Sequence, residues 1–269
     1  LLSLIANNPV LSEVELSDAR IELDAGRLVQ PDGFLGSGTA PGTIRFNNTN
    51  LLIHWPNGRR DEIGDLAGTF RWASLNGVAK LTASGKWQGE AARLEGSSDE
   101  PMKMLSGEES AISVQFKSAP IAFDYSGKIA FPGTFLTEGK LKARAPSLTT
   151  VLGWMNVTTS MLSDQGALDV DASLLHADGK IILNDLTMAF GGIPASGMLV
   201  LDPSPAIPLV SGTLAFEKAD LGSLVAAFQP AVQDSTGSKL DLDLRFSAET
   251  VQAASFALEN AAGTIKVNG

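Results

Sequence analysis

The sequence predicts a mainly β protein, built from a long antiparallel-rich sheet with two or three short helices. Many short runs alternate apolar and polar residues, which is typical of strands with one buried face. Turn-forming residues separate these runs, and the chain contains 27 glycines and 13 prolines. Hydrophobic residues make up 44% of the 269 residues, which is enough to bury a sizeable core.

A strand–turn–helix unit occurs twice, with a period of about 70 residues. The two strands begin at Gly139 and Gly212, and Asp220 is a plausible N-cap for the second helix. After each helix the chain returns to alternating strands, so the repeat is longer than its helix. The helices are predicted from apolar stripes at Leu148, Val151, Leu152 and Met155, and at Leu221, Leu224, Val225 and Phe228.

The repeat divides the chain into three predicted segments. Residues 1–138 form the N-terminal part of the sheet and contain strands with tryptophan. Residues 139–211 are the first strand–helix–strand repeat, and residues 212–269 are the second, truncated repeat. The chain begins within a predicted element at Leu1–Ile5 and ends just after a predicted strand at 264–267, so we expect it to be a segment of a longer protein.

Local patterns predict the other elements. The alternation over 14–23 indicates a half-buried strand or a bent pair, and the composition of 31–42 indicates a loop. Asn57-Gly58 suits a tight hairpin turn, and residues 97–109 are polar and rich in turn formers. Further strands are predicted at 43–46, 51–55, 63–72, 78–87, 91–94, 111–116, 121–125, 127–131, 167–174, 181–190, 198–201, 239–246, 256–258 and 264–267.

The apolar face of such a sheet requires a cover, since two or three short helices cannot shield about fourteen strands. We therefore expect the sheet to be strongly curved and to form a groove or an open barrel. A fully closed sheet with a dry core is the alternative.

Composition excludes several classes of function. The net charge of −10 and the pI of about 4.7 argue against nucleic acid as a partner and against adhesion to anionic headgroups. The sequence contains no cysteine, no phosphate loop, no dinucleotide fingerprint and no nucleophile elbow. We therefore expect no cofactor, no metal and no catalytic residues.

A few isolated residues could suggest other chemistry. His54 and His176 each lack a second ligand nearby in the sequence, so a surface or half-buried strand position is the simpler interpretation. The pairs Asp169/Asp171 and Asp241/Asp243 lie on the polar side of predicted strands, outside any calcium loop.

Several segments carry a family resemblance. They include the tryptophan segments 68–72 and 85–89, the repeat start 139–154, the glycine-bounded strand 197–201, and the proline-rich step 205–214. Together with the helix start at 219–221, they resemble the periplasmic region of the AsmA-like proteins of Gram-negative bacteria, which are relatives of TamB-type bridge proteins. The resemblance covers nearly the whole chain.

The resemblance implies a β-groove that projects into the periplasm from an N-terminal transmembrane anchor, which this chain lacks. It implies phospholipid as the ligand, the inner membrane as the site of attachment, and outer-membrane or other envelope proteins as possible partners. Such a protein is expected to carry phospholipid toward the outer membrane without catalysing a reaction.

The apolar strand faces are the candidate site. Two rival hypotheses are a closed β scaffold or adhesion domain of the cell envelope without a lipid ligand, and, with less support, a polysaccharide hydrolase. The predicted lipid-contacting residues are Leu168, Val170, Leu199, Leu201, Leu214, Phe216, Leu240, Leu242, Leu244, Phe246, Ile265 and Val267.

Overall fold

A computed structural model describes residues 13–24, 40, 42–55, 58, 60–131, 135–155, 166–205, 207–220, 222, 241–253 and 256–267. The chain forms two compact units. Unit 1 comprises Leu1–Ala119 with Lys128–Thr134, and unit 2 comprises Pro120–Gly127 with Phe135–Gly269.

The predicted mainly β class is confirmed. The elements of unit 1 are β1 (Glu13–Ser17), β2 (Arg20–Asp24), β3 (Gly42–His54), β4 (Arg60–Trp72), β5 (Ala79–Trp87), β6 (Glu90–Ser98), α1 (Pro101–Leu105) and β7 (Ser110–Ser118). A further strand, β8 (Ala122–Ala130), contributes residues to both units. The other elements of unit 2 are β9 (Leu136–Ala145), α2 (Leu148–Trp154), β10 (Leu168–Ala177), β11 (Lys180–Phe190), β12 (Ile193–Asp202), β13 (Leu209–Asp220), β14 (Asp241–Ala253) and β15 (Phe256–Val267).

In unit 1, β3 to β7 form an antiparallel ladder in chain order, and β1 and β2 both pair with β3 in parallel. Of the two alternatives predicted for 14–23, the structure contains the bent pair, as β1 and β2. Asp18 lies between β1 and β2 with a left-handed φ of 50°, and its backbone N–H donates to the carbonyl of Asn47 at 3.0 Å. The bend keeps the apolar residues of both strands half-buried.

In unit 2, the strands from β9 to β15 also pair in chain order. All of these pairings are antiparallel except that of β13 with β14, which is parallel. The first predicted helix is confirmed as α2, where the Ser147 side chain accepts the backbone N–H of Thr150 as an N-cap. The second predicted helix, including its stripe from Leu221 to Phe228, lies outside the described residues.

The predicted groove or open barrel is wrong. In each unit the strands stack in chain order, as successive strands of a β-solenoid do. Tight turns such as Asp178-Gly179, both with positive φ, hold each strand beside the one before it. Among the described strands of unit 2, no pairing joins β15 back to β9, so this ladder does not close into a barrel.

Two predicted loops have different outcomes. The polar run 97–109 is not a simple loop, because it contains α1, which begins with Pro101 in its first turn. Proline is favoured there since its missing N–H would have no partner inside the helix. The predicted loop at 31–42 falls almost wholly outside the described residues.

The predicted segment boundaries at 138/139 and 211/212 lie inside β9 and β13. They mark the position in the sequence at which each copy of the repeat begins.

Bulges interrupt several strands at Asp or Asn residues with left-handed backbone. Asn48, Asp65 and Asp185 have φ values of 49°, 52° and 47°, and each coincides with a shift in strand register. The residue after each of them is buried: Thr49 is 0% exposed and Leu186 is 1% exposed. A bulge of this kind bends its strand and changes which residues face the core.

Tyr125 joins β8 to β9 within unit 2. Its hydroxyl forms a hydrogen bond with that of the buried Thr137, and it lies close to both Gly127 and Gly139. Burial raises the pKa of Tyr125 above the ordinary value of 10.0, and the Glu138 carboxylate raises it further, while the bond to Thr137 acts in the opposite direction.

We expect ultraviolet titration of this tyrosine, which is the only one in the chain, to show a midpoint above that of a free tyrosine. Because the folded-state pKa is raised, the contribution of Tyr125 to stability is fully present below the unfolded-state pKa. It is lost as the pH rises through the folded-state pKa. Tyr125→Phe should abolish the titration step. A midpoint at or below that of free tyrosine would contradict the assigned environment.

Candidate functional site

Four rows of mostly apolar residues cross β11 to β15 on one face of unit 2. Residues directly opposite each other in paired strands point to the same face, so the register defines each row. Four strand spacings of about 4.8 Å make each row about 19 Å long. The apolar rows are Ile181–Leu201–Val210–Leu242–Val267, Leu183–Leu199–Gly212–Leu244–Ile265, Leu186–Gly197–Leu214–Phe246–Gly263 and Met188–Ala195–Phe216–Ala248–Ala261.

The register brings the predicted site residues together. Val170 and Leu168 of β10 lie opposite Met188 and Phe190 of β11 and extend the same face. Leu240 lies outside the described residues. The predicted residues that belong to the apolar rows are Leu199, Leu201, Leu214, Phe216, Leu242, Leu244, Phe246, Ile265 and, by its register position, Val267.

Burial differs among these residues. Leu242 and Leu244 are 7% and 6% exposed, so protein atoms already cover them. Leu199, Leu214 and other large members of the rows are only half-buried. The face therefore combines a buried part on β14 with partly accessible side chains on the neighbouring strands. A surface of this kind can bind further apolar material without first exposing a core.

The sequence interpretation missed the β11 members of the rows. Ile181 and Leu183 are odd-numbered positions, whereas Leu186 and Met188 are even-numbered. All four nevertheless lie on the same face, because the bulge at Asp185 inserts one residue between the two pairs. A strict period of two places Leu186 and Met188 on the opposite face. The signal that could have identified them is the Asn184-Asp185 pair inside an apolar run, since both residue types tolerate left-handed backbone.

Glycines bring the strands close together within the rows. A Cβ at Gly212 would lie 2.2 Å from the carbonyl oxygen of Met198, and one at Gly197 would lie 2.0 Å from that of Thr213. The ring of Phe246 lies over Gly263, and its Cζ atom would be 2.5 Å from a Cβ at Gly263. A side chain at Gly197 or Gly212 would clash with the neighbouring backbone, and one at Gly263 would clash with the Phe246 ring.

The opposite face of unit 2 is mostly polar and carries cross-strand ion pairs. Arg144 lies 2.9 Å from Asp169, and Lys142 lies 3.2 Å from Asp171. Lys266 forms the corresponding pair with Asp243 at 3.1 Å. These side chains are between 42% and 85% exposed, so each pair contributes less than about 1 kcal/mol. The prediction that Asp169 and Asp171 lie on the solvent side is confirmed.

Within the described residues, His54 lies near a carboxylate and His176 near a backbone carbonyl. His54 Nε2 lies 3.8 Å from a Glu22 carboxylate oxygen, and His176 Nδ1 lies 2.8 Å from the backbone oxygen of Phe135, whose ring lies beside the imidazole. Within the described part of the chain, His and acidic residues form no group of three that could hold a metal ion. The described helices are also too short or too polar to cross a membrane.

Comparison with known proteins adds no assignment, since no family model, curated protein or solved structure matches this chain.

Proposed function

We propose that this chain is a non-enzymatic lipid-holding protein of the bacterial periplasm, and that phospholipid acyl chains lie against the apolar rows of unit 2. The observation that carries the proposal is the continuity of these rows across five strands with large side chains left half-buried. The resemblance to AsmA-like proteins supports the location, an inner-membrane anchor in the parent protein, and a role in outer-membrane biogenesis.

The energetics of lipid transfer suit a surface without specific contacts. Two acyl chains of about 16 carbons cost about 25 kcal/mol to expose to water, at about 0.8 kcal/mol per methylene. An apolar face that shields most of the methylenes offsets this cost while the headgroup stays in water. Such a mechanism needs no catalytic residue and no cofactor, because no covalent bond changes.

The charge distribution favours recognition through the tails. The polar face carries the ion pairs of Asp169, Asp171 and Asp243, and the whole chain has a net charge of −10. An acidic surface does not attract anionic headgroups. We therefore expect binding to depend on the acyl chains and not to be strengthened by an anionic headgroup.

The direct test is mass spectrometry of an organic extract of the purified protein, together with uptake of a fluorescent phospholipid. We expect co-purified phospholipid and saturable uptake. Leu199→Gln combined with Leu214→Gln should weaken uptake about tenfold, because two half-buried leucines lose apolar contact worth about 1.4 kcal/mol in total.

The matched control for this test is Met198→Gln. Met198 is adjacent to Leu199 but points to the other face, where it is 38% exposed. Uptake by this variant should equal that of the wild type. If the double variant folds normally and takes up lipid as well as Met198→Gln does, the apolar rows are not the lipid surface.

The rival scaffold hypothesis has one observation in its favour. Leu242 and Leu244 are buried by the protein itself, as core residues of a ligand-free domain would be. For the same reason, Arg substitutions at these two positions would unfold the sheet under either hypothesis, so the half-buried positions are the informative ones. Absence of both co-purified lipid and fluorescent lipid uptake in the wild type would favour the scaffold.

A further inference from the structure

Unit 1 contains an apolar cavity of about 330 Å³ between the sheet and α1. Its floor is the face of β4 to β6 on which Phe70 lies opposite Leu81 and Trp72 lies opposite Ala79. Pro101 and Met104 of α1 and Phe131 line the cavity from other parts of the unit. This volume lies at the lower end of the range of small-molecule sites.

The cavity wall contains one unsatisfied hydrogen-bond donor. Trp72 is 2% exposed, and its indole Nε1–H is buried without a hydrogen-bond partner. The nearby hydroxyl of Ser98 is already hydrogen-bonded to that of Ser110 at 3.0 Å. A buried N–H without an acceptor is unfavourable, so a ligand whose acceptor oxygen reaches this nitrogen, as the side chains around it rearrange, recovers the lost interaction.

The segment carrying α1 is attached to the sheet by the buried Ser110 of β7. The Ser110 hydroxyl accepts the backbone N–H of Glu100, just before the helix, at 3.0 Å and also contacts Ser98 Oγ. Ser110 is 1% exposed, so this attachment is shielded from water. Met104 is a flexible, polarizable side chain that adapts to irregular apolar ligands.

We infer that this cavity binds one acyl chain bearing an uncharged carbonyl, such as a fatty-acid ester, with the carbonyl oxygen accepting the Trp72 indole N–H. The apolar lining selects hydrocarbon, and the uncharged indole donor is suited to the oxygen of an ester or amide carbonyl. The inference rests on the proposed function for the lipid class, but it assigns a discrete site in unit 1, separate from the apolar rows of unit 2.

Gly96→Leu is the blocking variant. Gly96 lies opposite Leu81 and lines the cavity. A Cβ at this position would have the Ser113 carbonyl oxygen, at 3.7 Å, as its nearest neighbour, so the backbone accepts a side chain there. The leucine side chain would then occupy the cavity. Thr82→Leu is the matched control, because Thr82 is exposed on the opposite face of β5.

The experiment measures binding of methyl laurate and of dodecane by ligand-observed NMR, with circular dichroism to confirm folding. We expect Gly96→Leu to weaken binding of both ligands at least about tenfold, and Thr82→Leu to leave it unchanged. Trp72→Phe should weaken methyl laurate about fivefold and change dodecane little, because it removes the donor but keeps an aromatic ring.

Two results would overturn the inference: no methyl laurate binding by the wild type, or unchanged binding by folded Gly96→Leu. Equal weakening of the ester and the alkane by Trp72→Phe would overturn the role of the indole N–H. The two proposals fail separately. Leu199→Gln with Leu214→Gln should leave intact the part of methyl laurate binding that Gly96→Leu removes, and Gly96→Leu should leave co-purified phospholipid on unit 2 intact.

Discussion

Gly197→Ala is expected to lower the free energy of unfolding of unit 2 by about 2–5 kcal/mol. The new Cβ would lie 2.0 Å from the carbonyl oxygen of Thr213 and 3.2 Å from the Cα of Leu214, so β12 and β13 would have to separate. Both neighbouring atoms belong to the backbone and cannot rotate away. The φ of +155° at this position adds strain for any residue with a side chain.

Urea unfolding, together with hydrogen exchange of β12 and β13 amides, measures this effect. The matched control is Gly153→Ala in α2, where a Cβ would meet nothing within 4 Å. Alanine is favoured over glycine in helices by up to about 1 kcal/mol, so the control should be neutral or stabilising. A Gly197→Ala protein as stable as the wild type would show that the two strands are not this close.

The strands and their tight connections were predictable because the information is local. Alternation identified β10 and β14, and it placed Asp169 and Asp171 on the polar face. Their cationic partners Arg144 and Lys142 could not be identified from spacing alone, since a cross-strand pair depends on register. Register in turn depends on turn geometry and on burial of one face.

The direction of strand pairing was not predictable from the repeat. β9 pairs antiparallel with β10, but the corresponding strands of the second copy, β13 and β14, pair in parallel. The connections 146–167 and 221–240 are both longer than the dozen or so residues that a parallel crossover requires. Connection length therefore permits either direction in both copies, and tertiary packing decides between them.

The degree of burial in the candidate site was also beyond the sequence pattern. Leu242 and Leu214 have the same alternating surroundings, yet Leu242 is buried and Leu214 is half-buried. The cavity in unit 1 was missed for a related reason. Its cover, α1, lies in a polar, turn-rich run whose helix is too short to show an apolar period. Both features depend on which elements meet in space.

Leu186→Ala is expected to destabilise unit 2 by about 2–5 kcal/mol, the range for truncating a buried leucine. Leu186 is 1% exposed and follows the bulge residue Asp185. The loss of its side chain therefore leaves a cavity within the apolar rows, because a packed interior relaxes only partly around a missing side chain. Hydrogen exchange of β11 amides, compared with those of β4 in unit 1, should locate the effect in unit 2.

Leu258→Ala on β15 is the matched control for Leu186→Ala. Leu258 is 48% exposed, so the same truncation there should change the free energy of unfolding by less than about 0.5 kcal/mol. If both substitutions change the free energy of unfolding by the same small amount, the bulge at Asp185 does not direct the Leu186 side chain toward the protein interior. In that case the bulge at Asp185 would not place Leu186 and Met188 on the face of the apolar rows. These two rows would then end at β12.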